Sequence, residues 1–215
     1  MESRLQEVAG RGCRAAGTLA AAWLSLLVFC AGASAQTAAA TTEPRAGDFV
    51  LSRGEGIWSE IFAGLNRRDR RYSHVGVVVG EPGGLGVVHA ASDDDGSNGT
   101  VRLDAWAEYA AAQREFVLLR LADRHAADRA AAAALELGAA APPFDFDFRL
   151  ADAAAVYCSE LAWLALSTAL GRDPIPNKPF IAGRQVVLVE NFLLDVPELE
   201  LIGPASPAKP EETSQ

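Results

Sequence analysis

At 215 residues the chain is long enough for one domain of ordinary size, and half of its residues are apolar, as in globular proteins. It carries 28 acidic against 19 basic side chains, a formal net charge of −9. An acidic domain without a basic face is a poor partner for a phosphate backbone, which argues against nucleic-acid binding.

The first 35 residues read as an export signal. Arg4, Arg11 and Arg14 make a basic start, AAGTLAAAWLSLLVFCAGA is an apolar stretch, and Ala33-Ser34-Ala35 offers a small-x-small cleavage site ahead of Gln36. The apolar run is short and Ala-rich for a membrane span, so export with cleavage near Ala35 is favoured over a retained anchor. It is also favoured over lipidation of Cys30, because bulky Phe29 sits where a small residue is wanted. Cleavage removes Cys13 and Cys30 and leaves Cys158, which then has no partner for an internal disulfide. Such a thiol is buried and inert, paired with another molecule, or chemically used. Residues 36–46 read as a flexible lead-in and 203–215 as a disordered tail, leaving 47–202 as the domain.

Within the domain, Gly47–Arg53 is a short apolar strand. GIWSEIFAGLN spaces Ile57, Ile61, Phe62 and Leu65 for an amphipathic helix. The loop NRRDRRY leads into YSHVGVVVG (Tyr72–Gly80), a strand with His74 at its mouth. EPGG is a turn and LGVVHAAS a second strand carrying His89, so the two form an antiparallel hairpin. The polar loop that follows is not a calcium loop, since Ala91 and Arg102 fall where its first and twelfth positions need oxygen ligands. Its Asn98-Gly99-Thr100 is a glycosylation sequon and marks an exposed stretch. TVRL is a brief strand and EFVLLRLA (Glu115–Ala122) a longer one. Asp123 caps an Ala-rich helix that Pro142 and Pro143 stop. A further helix opens around Tyr157 and runs to Gly171, and VVLVENFLLD and LELIG close the domain as apolar segments whose type the pattern leaves open. The whole predicts an α+β fold with a mainly antiparallel sheet.

Cys158 falls in the first turn of its helix, where orphan amides and the positive end of the dipole favour a thiolate. It also shares a face with Leu161, Ala162 and Ala165, as a core cysteine would. The histidines tilt the balance. His74 shares a strand face with Gly76 and Val78, His89 shares one with Val87 and Ala91, and the turn brings both imidazoles to one end of the sheet. A thiolate needs a base, and the base needs a partner on its other ring nitrogen. His125, among Arg and Asp, reads as a surface residue. Arg67, Arg68, Arg70 and Arg71 form a solvated loop from which Arg71 is the candidate to hold a substrate carboxylate or anionic headgroup. Tyr157 lines the site or packs. Two His and one Cys are also a catalytic zinc set, and an exported binding domain with an inert Cys158 is the non-enzymatic alternative.

The order GDFV, YSHVGVVV, VVHAA, VYCSELAW resembles the circularly permuted papain-fold amidases of the YiiX/YebB group, relatives of the NlpC-type cell-wall peptidases. Lecithin retinol acyltransferase-like proteins share this permuted order. The resemblance spans roughly Gly47 to Leu170. It implies a permuted papain-like fold with Cys158 as nucleophile at a helix N-terminus, His74 as general base, and His89 as the polar residue that orients His74. It further implies a structural Asp48, the Cys158 amide as oxyanion donor, and no cofactor. The implied function is an exported thiol hydrolase of the amidase or peptidase type, or an acyltransferase, acting on envelope peptides, acyl-amides or lipids.

Overall fold

The computed structural model describes residues 43–93, 98–150 and 154–202, so the expected signal segment and C-terminal tail lie outside the described residues. In chain order the elements are β1 (Phe49–Arg53), α1 (Ile57–Leu65), β2 (His74–Glu81), β3 (Gly84–Ser92), β4 (Gly99–Ala105), α2 (Trp106–Ala111) and β5 (Glu115–Leu121). There follow α3 (Arg124–Ala140), α4 (Cys158–Leu170), β6 (Phe180–Ile181), β7 (Arg184–Gln185), α5 (Val189–Leu194) and β8 (Leu199–Ile202). Six strands form one antiparallel sheet in the order β4-β3-β2-β1-β5-β8, and β6 and β7 make a separate small hairpin. The α+β architecture and the β2–β3 hairpin are as the sequence predicts.

Strand alternation divides the core between the two faces of the sheet. Phe49, Leu51, Val75, Val77, Val88 and Leu119 point to one side and pack on α3 and α4. Those helices present alanines to the contact, including Ala130, Ala134, Ala162 and Ala165, and each of these is fully buried. Small side chains let the helices sit close to the sheet. The other face is smaller: Val50, Val78, Val87 and Leu118 lie under Tyr109 and Trp106 of α2. His74 and His89 belong to this second face.

The Gly47-Asp48 corner is structural. Gly47 has φ +91°, and a Cβ there would lie 2.4 Å from the Ala127 carbonyl oxygen. Buried Asp48 accepts from the Arg45 amide at 2.7 Å and from Arg120 through both of its carboxylate oxygens, each at 2.7 Å. Arg120 also donates to the Glu43 carbonyl, so the end of the expected flexible lead-in is tied to the sheet. Asp123 caps α3, accepting from the His125 amide at 2.9 Å, and His125 itself is exposed.

Five elements escape the sequence pattern, two of them the β6–β7 hairpin. α2 is a six-residue helix between β4 and β5, and the closing apolar segments resolve into α5 and the edge strand β8. α1 is a helix as predicted, but its buried residues are Ser59 and Ala63, while Ile57 and Ile61 remain 70% and 45% exposed. Its large apolar side chains line a cavity instead of filling the core.

Candidate active site

The site forms where β2 begins and α4 begins. β1 and β2 pair so that His74 stands opposite Ser52, and β3 and β4 pair so that His89 stands opposite Arg102 and Val87 opposite Asp104. Side chains two apart on a strand share a face, so His89, Arg102 and Asp104 project together. His74 Nε2 lies 2.9 Å from His89 Nδ1, and His89 Nε2 lies 2.9 Å from Asp104 Oδ2. Arg102 Nε donates to the same Asp104 oxygen at 3.0 Å. The Tyr109 ring meets the His89 ring edge-on at 5.1 Å, and its hydroxyl bonds Ser52 Oγ at 2.9 Å. The sequence pattern does not single out Asp104 or Tyr109. The signal for Asp104 was its place two residues from Arg102 on a strand paired with that of His89.

Gly76 makes the histidine contact sterically available. A Cβ at this position would fall 2.5 Å from Val87 Cγ1 and 3.2 Å from the His89 Cβ. The missing side chain lets β3 carry His89 in against His74. Gly76→Ala is expected to push His89 outward and cost about 1–3 kcal/mol of stability through overpacking. Urea unfolding would measure the loss, and loss of the His74–His89 contact would show as a shift of both imidazole resonances.

Cys158 opens α4, and Tyr157 precedes it in extended conformation at the N-cap. Cys158 is buried, at 7% exposure. Amides of Val75 and Ser159 point at the sulfur and favour a thiolate, yet burial is the larger effect and pushes the thiol up to about 11. The lowered thiol pKa expected from the helix N-terminus is therefore not realised; desolvation outweighs it. Burial likewise holds His74 well below its usual 6.5, with His89 and Arg102 adding to the effect and Asp104 opposing it. His89 is lowered by burial against the pull of Asp104, and the hydrogen bond from His89 lowers Asp104. The resting site is thus a neutral thiol beside two neutral imidazoles.

Cys158 stands between two cavities. One, of about 350 Å³, is walled by Trp58, Ile61, Phe62, Phe144, Phe148 and Tyr157. The other, of about 540 Å³, holds His74, His89, Arg102, Tyr109 and Gln113. Trp58, Phe62, Ser73, Phe144 and Cys158 line both. Ser59 Oγ and Ser73 Oγ are 2.7 Å apart and buried. The pair spends one hydroxyl proton between its members and keeps the other.

Cys158 shares one cavity with His74 and His89 and the other with Tyr157. Tyr157 is a wall: its hydroxyl accepts from the Val187 amide at 3.0 Å and its ring lies 5.0 Å from that of Phe148. Arg71 is not among the residues lining either cavity; its guanidinium bonds Asp69 at 2.6 Å and lies 5.4 Å from the centroid of the Tyr72 ring. The rest of the arginine loop is pinned from the far end of the chain. Buried Glu190 accepts the amides of Arg67, Arg68 and Asp69 at 3.1, 2.6 and 2.8 Å, and Arg68 forks onto Asp195.

No family model and no curated protein matches the chain. A solved structure does match. The crystal structure of metalloprotein yiiX from Escherichia coli O157:H7, DUF1105, aligns with a TM-score of 0.59 and 21% sequence identity, over 75% of this chain and 97% of that one. The chain has a yiiX-like fold. That neighbour is described as a metalloprotein, and the side chains here do not fit a metal centre. Three of the four ring nitrogens of His74 and His89 are turned on each other and on Asp104 at 2.9 Å, and among the described residues no three His, Cys, Asp or Glu side chains converge on one point.

Proposed function

We propose that the protein is an exported thiol hydrolase that cleaves an amide or ester of an apolar acyl group, through an acyl-enzyme on Cys158. The observation that carries this reading is the placement of Cys158 at a helix N-terminus, in one cavity with a histidine whose Nε2 is already engaged by a second histidine. His74 Nδ1 is then the ring nitrogen left to act as base.

In the first step Cys158 passes its S–H proton to His74 Nδ1 as sulfur attacks the substrate carbonyl carbon, and the carbonyl electron pair moves to oxygen. The Cys158 amide and the spare Ser59–Ser73 hydroxyl proton are the donors for that oxyanion. Collapse expels the leaving amine or alkoxide, which takes the proton back from His74 and leaves a thioester. Water then attacks the thioester carbonyl while His74 takes its proton; collapse breaks the C–S bond and releases the carboxylic acid, and the departing sulfur takes that proton back from His74 to restore the thiol. Transfer to an amine or alcohol follows the same path with that acceptor in place of water.

The two cavities support a division of the substrate between them. His74 has to protonate the leaving group and lines the more polar of the two cavities, so the leaving group belongs there. The acyl group then occupies the cavity walled by aromatic and aliphatic side chains, which favours lipid-like acyl groups over polar peptides. The test is mass spectrometry of the protein incubated with p-nitrophenyl decanoate. The expected result is a decanoyl mass gain on the peptide containing Cys158 and a burst of nitrophenol, both absent from Cys158→Ala. Hydrolysis that survives Cys158→Ala would overturn the reading.

A further inference from the structure

The hydrogen-bond chain behind the site has a direction, and Asp104 sets it. A carboxylate can only accept, and Arg102 Nε, 3.0 Å from its Oδ2, holds it in that form. The His89 nitrogen 2.9 Å from that same oxygen must therefore carry a hydrogen. A neutral imidazole has one N–H, so His89 Nδ1 is bare and can only accept. The atom facing it at 2.9 Å is His74 Nε2, which must then be the donor. By the same count, His74 Nδ1 is bare.

We propose that Asp104 is a positioning residue that fixes the tautomers of His89 and His74 in series, leaving His74 with its lone pair on the nitrogen that faces the chemistry. This rests on the Cys158–His74 mechanism proposed above. Without a carboxylate at the end, the chain can run the other way. His89 would carry its hydrogen on Nδ1 and donate to His74 Nε2, and His74 would carry its own on Nδ1. That ring has no lone pair to take the Cys158 proton, although no atom in contact with the thiol has changed. Burial reinforces the arrangement, because it keeps both rings neutral and so makes the tautomer matter.

Long-range proton–nitrogen correlation spectra of the full chain, labelled with ¹⁵N-histidine, test this at neutral pH. The chain has three histidines, and His125→Gln and His74→Gln assign them. The expected wild-type spectrum shows Nε2 protonated and Nδ1 bare in both His74 and His89. In Asp104→Asn the carboxamide can donate to His89 Nε2, which a carboxylate never does, so a second set of signals with Nδ1 protonated is expected for both rings. The kcat on p-nitrophenyl decanoate is expected to fall roughly 10- to 100-fold in step with that set, at little change in KM, short of the roughly 10²–10⁴-fold that loss of the base costs. A wild-type spectrum with His89 Nδ1 protonated overturns the proposal, even if Cys158 is acylated normally. The expected spectrum in a protein that never acylates Cys158 upholds the role of Asp104 and instead removes the thiol mechanism.

Discussion

Replacing His74 with alanine is expected to slow acylation of Cys158 by roughly 10²–10⁴-fold at neutral pH, and the deficit is expected to shrink as pH climbs towards 11. The thiol is pushed up to about 11 by burial, so at pH 7 about one molecule in 10⁴ holds a thiolate without help. Wild-type protein escapes that limit because His74 takes the proton during attack. The variant has to wait for spontaneous ionisation, which each unit of pH makes about tenfold more frequent up to the thiol pKa. The wild-type profile runs differently. A base works in its deprotonated form, and the His74 pKa is lowered well below 6.5, so the rate rises on the acid side and is already level at neutral pH. Rates of nitrophenol release from a decanoyl ester, measured across pH for both proteins, check this. A His74→Ala protein as fast as wild type at pH 7 would rule out the base. Rapid alkylation by iodoacetamide with an apparent pKa below about 8.5 would show a preformed thiolate–imidazolium pair in place of the neutral one.

The parts of this site that rest on local periodicity were legible in the sequence. A two-residue turn and strict strand alternation fix which face His74 and His89 occupy, and the Pro82-Gly83 turn sets the β2–β3 register with Glu81 opposite Gly84. The start of α4 at Cys158 follows from the apolar pattern and from its stop at Gly171, which has φ +66°. Tertiary facts were not legible. Asp104 reaches His89 through the β3–β4 register, which a polar loop of unconstrained length separates in sequence. α2 is too short to show a period, so Tyr109 had no element to belong to. Ile57, Ile61, Phe62 and Leu65 have the spacing of a core-facing helix, and the pattern is the same whether that face meets a core or a cavity. Arg71 belongs to a charge run whose partners, Asp69 nearby and Glu190 and Asp195 far along the chain, no local reading supplies. The direction of the thiol shift escapes the sequence for a related reason. Helix position is local, burial is not, and burial is the larger effect here.

Activity on p-nitrophenyl esters is expected to rise with acyl length, by about fourfold in kcat/KM for each added methylene until the apolar cavity is full. Burying one methylene contributes about 0.8 kcal/mol, and the cavity of about 350 Å³ offers Ile61, Leu65, Phe146 and Phe148 as partners along walls that the other cavity does not share. A rise in kcat/KM measured from acetyl to dodecanoyl would show the slope and the length at which it ends. Ile61→Glu is expected to flatten the slope for long chains, because a carboxylate on that wall would lose its water to an incoming acyl chain. Ile61 is 45% exposed, so the fold should tolerate the change, and the acetyl ester, too short to reach the wall, should keep its rate. A slope that is flat in wild type would sink the apolar acyl site. Esters with the apolarity reversed separate this from general greasiness. A short acyl group on a long-chain alcohol buries as many methylenes only if the chain can enter the aromatic cavity from the leaving-group side. His74 must stay within reach of the leaving oxygen, and it lines the other cavity, with Arg102 and Gln113. That cavity also has Trp58, Phe62 and Phe144 on its walls, so the reversed ester is expected to gain less from its chain than the acyl series does, and the difference between the two series measures how firmly the position of His74 dictates which half of the substrate goes where.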